Sequence, residues 1–189
     1  TIDSKEQYPR LTVALTDMEV IHGGAFKDCS IMEHIVLGEG VTTLTKSSFE
    51  NATGLRTIVL PSTIQTIESK MFKNCESLIS VSGSNGITLI KESAFENCNS
   101  LQSITFNEVQ RIEKAAFKNC YNLSSVGDIS DLQYIGEAAF MGCTNLENIT
   151  FGNGWKFCFI IIEKGSMLCR IKEVILQEKS DSSLQRRAL

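Results

Sequence analysis

The chain has 189 residues, of which 42% are hydrophobic and 21% charged, and its net charge is -4. This apolar fraction excludes a wholly disordered chain, because enough hydrophobic surface is present to build a core. The slight acidic excess argues against nucleic acid as a partner, since no surplus of lysine and arginine can neutralise phosphates. The longest apolar run, residues 155–162, contains Lys156 and is far shorter than the roughly 20 residues of a membrane-spanning helix, so no membrane insertion is predicted.

The sequence repeats itself with a period close to 23 residues. Six phenylalanines recur at intervals of 23, 23, 23, 22 and 23 residues, and an apolar residue follows each of them after three, six and nine positions. The six are Phe26, Phe49, Phe72, Phe95, Phe117 and Phe140. One repeat of this length cannot bury its own apolar face, so successive repeats must stack as the coils of a solenoid. In such a stack the phenylalanines form a continuous ladder that sets the register of the coils.

Four of the six repeats carry an apolar strand pattern of the form L-x-x-L-x-L, as in residues 55–60 and 101–106, and in the other two Gly83 and Asp128 take its last position. This pattern and the period of the repeat are typical of a leucine-rich repeat. We therefore predict a leucine-rich-repeat horseshoe with a parallel β-sheet on the concave face and short helical or irregular turns on the convex side. Residues 1–155 are expected to form about six coils, the first one partial, followed by a degenerate capping coil over 156–176 and a polar tail over 177–189.

Five of the seven cysteines occupy one column of the repeat, three residues after each phenylalanine. They are Cys29, Cys75, Cys98, Cys120 and Cys143, and Ala52 takes the sixth place. Because free cysteine is among the most buried residue types, we predict a reduced, apolar stack rather than disulfides or a metal site. Cys158 and Cys169 lie outside this column; they either stay free or form a disulfide in the cap, which would indicate an oxidising compartment.

The repeat unit I-x-x-x-A-F-x-N-C-x-x-L-x-x-I, seen at residues 90–104, resembles the BspA-like (Treponema pallidum-type) leucine-rich repeats. The resemblance covers roughly residues 18–155. It implies a surface-displayed or secreted adhesion or host-interaction protein of bacteria, or of protozoa that carry the same family. No catalytic residue can be transferred from it, because the binding residues of the family form no fixed motif.

The outward-facing residues of the predicted strands form two columns on the concave face, where solenoid curvature gathers one side chain per strand. The first column is His34, Thr57, Ser80, Ser103, Ser125 and Asn148, and the second is Val36, Val59, Ser82, Thr105, Gly127 and Thr150. Most of these side chains are small and carry hydroxyls, so we expect hydrogen bonding to an extended peptide or a glycan. The affinity per site should be weak, because the columns lack the Tyr, Trp and Arg that dominate binding hot spots. The alternative is that Ser and Thr only keep an exposed strand face soluble.

Charges alternate along the column that directly follows the phenylalanines. The residues are Lys27, Glu50, Lys73, Glu96 and Lys118. Opposite charges should then lie one coil apart, and like charges would meet if the coils slipped past one another. Our hypothesis is that this alternation holds the stacking register; the alternative is a merely solvated face.

Motifs for enzymatic chemistry are missing from the sequence: it contains no H-E-x-x-H, no G-x-S-x-G and no phosphate-binding glycine loop. We predict no catalytic residue, cofactor or metal. The leading expectation is a non-enzymatic module that binds host or matrix macromolecules, protein or glycan, through its concave face. The alternative is a cytoplasmic leucine-rich-repeat scaffold, which a reduced cysteine column permits. Residues 155–162 either form a covered last rung or support weak self-association through the C-terminal end.

Overall fold

The computed structural model describes residues 11–127, 129–151 and 173–176, and within them the regular secondary structure consists of β-strands, with no helix. In chain order the strands are β1 (Leu11–Leu15), β2 (Val20–Ile21), β3 (Met32–Leu37), β4 (Thr43–Leu44), β5 (Thr57–Val59), β6 (Thr66–Ile67), β7 (Ser80–Ser82), β8 (Leu89–Ile90), β9 (Ser103–Ile104), β10 (Arg111–Ile112), β11 (Tyr134–Ile135), β12 (Asn148–Phe151) and β13 (Glu173–Leu176).

The main sheet takes one strand from each successive coil and is parallel throughout, in the order β1, β3, β5, β7, β9. Equivalent repeat positions pair with one another, so that Thr57 lies opposite Ser80 and Ser80 opposite Ser103. A parallel bridge from Ser103 to Ser125 extends the sheet by one coil. The predicted leucine-rich-repeat solenoid with a parallel concave sheet is therefore confirmed.

A second file of strands, each two residues long, lies on another side of the coils. Strands β6, β8, β10 and β11 form one parallel sheet, and β2 pairs with β4. Their inward residues, such as Ile67 and Ile90, are fully buried. The sequence pattern includes the apolar residues of these strands. It did not predict the strands themselves, because each is only two residues long.

The convex turns are irregular, and the helical form of the prediction does not occur in the described residues. Each turn holds two residues with positive φ, one two positions before the phenylalanine and one two positions after it. Around Phe72 these are Lys70 (φ 57°) and Asn74 (φ 60°). Left-handed residues interrupt a right-handed helix, so a helix cannot run through these turns.

The phenylalanine rings lie in a single file through the core. Neighbouring ring centroids are 5.1 to 5.4 Å apart, and the ring planes deviate from parallel by at most 14°. Phe72 and its neighbours in the middle of the file have no exposed surface, whereas Phe26 at the first coil is half-buried. Burial of one such ring stabilises the fold by about 2 kcal/mol, so the file is a large contribution to the stability of the stack.

At the C-terminal side, β12 pairs in parallel with β13, which places Asn148 opposite Glu173. Apart from β13, the predicted capping coil (156–176) and the polar tail (177–189) lie outside the described residues, as do Cys158 and Cys169.

Candidate binding face

The main sheet brings two columns of outward side chains onto its concave face. In the first column His34 lies opposite Thr57, and in the second Val36 lies opposite Val59. Parallel strands are about 4.8 Å apart, so neighbours within a column touch. His34 Nδ1 is 2.8 Å from Thr57 Oγ1, which joins the first two members of one column by a hydrogen bond.

The chemical character of the face changes along the stack. Val36 and Val59 are 41% and 37% exposed, and they lie on neighbouring strands. The same column continues with Ser82 and Thr105, which are exposed and carry hydroxyls. The face therefore offers apolar contact at its N-terminal coils and hydrogen-bonding groups toward the later ones.

Two residues of the predicted columns lie in a different sheet. Asn148 and Thr150 belong to β12, whose described partner is β13 rather than a strand of the main sheet. Ser125 does reach the main sheet, through its bridge to Ser103. The continuous concave face of the described residues thus runs from β1 to Ser125.

Four of the five cysteines of the column are buried inside the coils, and Cys29 in the first coil is half-buried. The five described cysteines are free. The thiols of Cys75 and Cys98 donate hydrogen bonds of 3.0 Å to the carbonyl oxygens of phenylalanines in the preceding coil, and Cys120 and Cys143 do the same at 3.1 and 3.0 Å. Burial raises the pKa of Cys75 to about 12 and that of Cys98 well above its ordinary value. Because the thiolate is the reactive form, these thiols are poor nucleophiles in the folded chain.

Repeats with these columns, this period and this parallel sheet correspond to a known family. A family model for the BspA type Leucine rich repeat region matches residues 12–124 and 110–182, with six copies. The chain belongs to this family.

Solved structures of bacterial leucine-rich repeat proteins share the fold. A leucine-rich repeat protein from Bacteroides ovatus is 29% identical, with a TM-score of 0.66 over 74% of this chain and 36% of that one. The corresponding protein of Eubacterium ventriosum is 22% identical, with a TM-score of 0.68 over 76% of this chain and 41% of that one. The T. pallidum leucine-rich repeat protein is 24% identical, with a TM-score of 0.62 over 75% and 73%.

The chain therefore spans well under half the length of the B. ovatus and E. ventriosum proteins. A search of curated proteins found no significant match. In the part of the chain that the structure describes, no helix is long and apolar enough to cross a membrane, and no three His, Cys, Asp or Glu side chains converge as ligands for a metal ion.

The BspA-type coils of this chain also contain an asparagine ladder, which the sequence patterns considered above did not predict. Asn74 Nδ2 donates to Asn51 Oδ1 at 2.7 Å, and Asn97 Nδ2 donates to Asn74 Oδ1 at the same distance. Asn119 Nδ2 donates to Asn97 Oδ1 at 2.9 Å. At the other end of the ladder, Asn51 Nδ2 donates to Asp28 Oδ1. The signal was present in the sequence, because Asn recurs two positions after the phenylalanine and tolerates the left-handed conformation better than most residues.

Ion pairs join the coils on the convex side, along the alternating charge column. Lys73 Nζ lies 2.8 Å from Glu96 Oε2, and Lys118 Nζ lies 3.6 Å from Glu96 Oε1. Lys27 pairs with Glu50 at 3.1 Å. Burial acts to raise the pKa of Glu96, but the hydrogen bonds from Lys73 and Ser93 and the two lysine charges outweigh it and hold that pKa below its ordinary value.

An arginine and a tyrosine, residue types that recur in binding hot spots, lie outside the concave face. The guanidinium carbon of Arg111 is 3.9 Å from the ring centroid of Tyr134, on neighbouring strands of the second file. Arg111 is further paired with Glu113 at 3.3 Å. Arg111 thus already contacts Tyr134 and Glu113 within the chain. The concave face is therefore the better candidate for a binding surface.

Proposed function

We propose that the chain is a non-enzymatic interaction module, displayed on the cell surface or secreted, that binds host or matrix macromolecules through its concave face. The observation that carries the proposal is the continuous face on one parallel sheet, where the exposed Val59 lies beside the exposed Ser82 and the half-buried Thr57 beside the half-buried Ser80. Membership of the BspA-type family supports a role in protein interaction.

The physical advantage of such a face is its preorganisation. The side chains are short, so fixing them on binding loses little rotamer entropy. The sheet beneath them is held by the packed phenylalanine file and by hydrogen bonds between coils. Each contact is weak on its own, and repetition over several coils, or display of many copies, raises the avidity.

The test compares a concave variant with a matched convex one. Ser82→Arg combined with Thr105→Arg places two bulky charges on the concave face, whereas Gln65→Arg combined with Gln110→Arg, the convex variant, places the same two charges at exposed positions beside the second file of strands. Beads coated with each purified protein are counted on cultured epithelial cells and on immobilised extracellular matrix. We expect the wild type and the convex variant to bind and the concave variant to fall to the level of bare beads.

Two results would contradict this function. If the wild-type beads bind neither cells nor matrix, the adhesion proposal fails. If the concave variant binds as well as the convex variant, the ligand is held elsewhere on the coils. Equal thermal melting of both variants is the control that the fold is intact.

A second candidate is an intracellular scaffold, which the five free cysteines of the described residues favour. The two candidates differ in redox compartment. A thiol count on denatured protein, purified from its native source without reductant, separates them. A disulfide between Cys158 and Cys169 would support the surface module, and seven free thiols would leave the scaffold standing.

We also propose weak self-association through the C-terminal end, on the ground that residues 155–162 are strongly apolar. Sedimentation velocity over a range of concentrations tests it. A sedimentation coefficient that does not change with concentration would rule it out.

A further inference from the structure

A shallow groove of about 270 Å³ runs across four coils at the edge where the chain enters the main sheet. Its lining residues are Arg56, Ser77, Ile79, Ser100, Gln102 and Asn122. Arg56, Ile79 and Gln102 each directly precede a member of the first concave column, so the groove adjoins the concave face. With strands about 4.8 Å apart, the groove reaches over roughly 14 Å.

The polar side chains of the groove are not used by the fold. Within the described residues, the side chains of Arg56, Gln102 and Asn122 make no hydrogen bond or ion pair, and neither do the hydroxyls of Ser77 and Ser100. Elsewhere the polar side chains of this chain bond from coil to coil, as the asparagine ladder does. Two hydroxyls, two carboxamides and one guanidinium are therefore available to a ligand at a single place.

The three backbone amides that border the main sheet in the groove, in contrast, already donate to the preceding coil. The amide of Arg56 donates to Glu33 O, that of Ile79 to Arg56 O, and that of Gln102 to Ile79 O. A peptide cannot add to the coils here through main-chain hydrogen bonds, as it does at a free sheet edge. A ligand must therefore be recognised by side chains that donate and accept hydrogen bonds. Ile79 is the one apolar residue among those that line the groove.

We propose that this groove binds a short acidic oligosaccharide, whose hydroxyls bond to the serine and amide side chains and whose carboxylate pairs with Arg56. The groove is a site in addition to the concave face, so the inference goes beyond the proposed binding function. A saccharide fits because its hydroxyls match side chains that donate and accept, whereas the shallow floor offers no pocket for apolar side chains.

The charges around the groove limit the ligand to one carboxylate near Arg56. A guanidinium binds a carboxylate in a bidentate geometry. The exposed Glu76 directly precedes Ser77. Its carboxylate would repel a polymer with many charges, so a terminal acidic sugar on an otherwise neutral chain fits best.

The test is a titration of the full chain with three probes: 3′-sialyllactose, neutral lactose and a hyaluronan tetrasaccharide. We expect 3′-sialyllactose to bind about tenfold more tightly than lactose, because only the former offers a carboxylate to Arg56. Arg56→Gln should abolish this preference and leave the two affinities equal, and Arg56→Lys should restore part of it. The matched control is Arg111→Gln, which removes a guanidinium from the second file of strands and should retain the full preference.

The hyaluronan arm distinguishes the carboxylate of a uronic acid from that of a sialic acid. Tighter binding of the tetrasaccharide, which carries two uronic carboxylates, would contradict a ligand with a single terminal acidic sugar and would overturn the inference. The inference is overturned if the wild type binds none of the three probes, if Arg56→Gln keeps the preference, or if Arg111→Gln loses it equally.

Failure of the inference and failure of the proposed function give different results. The concave variant Ser82→Arg with Thr105→Arg should lose cell and matrix binding but keep saccharide binding in the neighbouring groove. If the wild type adheres to cells and matrix yet binds no saccharide, only the groove assignment falls. If it binds the saccharide without adhering, the adhesion proposal falls and the groove stands as a separate site.

Discussion

The cysteine column shows how packing against the preceding coil restricts the size of the side chain at one repeat position. Cys98 is fully buried, and its thiol fits between packed coils with a carbonyl oxygen of the preceding coil as its acceptor. Ala52 occupies the same position in another coil and is equally buried. The position therefore selects for small volume, and the thiol adds one weak hydrogen bond.

The raised thiol pKa values make stability depend on alkaline pH. Burial raises the pKa of Cys75 from its ordinary value of 9.0 to about 12. Below pH 9 the thiol is protonated in both states, and its contribution to stability is complete. Between pH 9 and 12 the unfolded thiol ionises while the folded one does not, so stability declines as the pH rises.

We therefore expect Cys75→Ala to lose less stability than the wild type between pH 8 and pH 10.5, measured as the free energy of urea unfolding with reductant present. Ile104→Val is the control, because it removes a buried methyl group and no titratable group. Its loss of about 1 kcal/mol should be the same at both pH values. Equal pH dependence of the wild type and Cys75→Ala would contradict the prediction.

The turn is the element that this repeat builds in an unusual way. Two left-handed residues reverse the chain around each phenylalanine, and in four turns the second is an asparagine whose side-chain amide donates to the preceding coil. In the last described turn Gly142, with φ 81°, takes the place of the asparagine. It has no amide to donate to Asn119 Oδ1, so the asparagine ladder ends at Asn119 in the described residues.

Substitution of Asn74 separates the two contributions of the ladder. Asn74→Gly keeps the left-handed backbone but loses the amide bonds to Asn51 and Asn97, which should lower the free energy of unfolding by about 2 kcal/mol. Asn74→Ala loses the same bonds and adds about 1 kcal/mol of backbone strain.

Urea unfolding of both variants measures the difference, and Asn107→Ala in an exposed loop is the control, expected to change stability by less than about 0.5 kcal/mol. If the glycine and alanine variants are equally stable, the left-handed conformation does not contribute to the difference in stability. If neither variant is destabilised, the hydrogen bonds of the ladder do not contribute to the free energy of unfolding.

The convex charge column should contribute to the stacking of the coils. Glu50→Lys with Glu96→Lys replaces the ion pairs to Lys27 and Lys73 by repulsion. We expect a lower melting temperature at low salt and a smaller difference at high salt, since salt screens exposed charges. Glu19→Lys with Glu108→Lys makes the same change of net charge outside the column. A melting temperature at low salt equal to that of this control would refute the register hypothesis.

The elements that the sequence predicts correctly are those in which burial restricts the residue type at each position. The phenylalanine, cysteine and strand columns repeat because each position meets the same packed neighbour in every coil. The first left-handed position of the turn holds residues as different as Ser47, Lys70 and Ala115, so its conformation leaves no compositional signal. The groove beside Arg56 was missed for a related reason, since the column of Arg56, Ile79 and Gln102 changes its chemical character from coil to coil.

The whole molecule is a stack in which each coil contacts its neighbours, so stability should vary along it. A central coil is packed on both sides, and Phe72 has no exposed surface. The first coil has a neighbour on one side only within the described residues, and its Phe26 and Cys29 are half-buried. The concave face and the groove draw most of their residues from the central coils, where the sheet is best supported.

Native-state hydrogen exchange can measure this gradient with two equivalent amides. Phe26 N donates to Ser48 O and Phe72 N to Ala94 O, and both bonds are 2.8 Å long. Because bond geometry is the same, a difference in exchange rate reports the support from neighbouring coils. We expect the Phe26 amide to exchange about tenfold faster or more, as local opening of the end coil disrupts packing on one side only. Equal protection of the two amides would mean that the stack opens as one cooperative unit, and the binding surfaces would then be no more rigid at the centre than at the end.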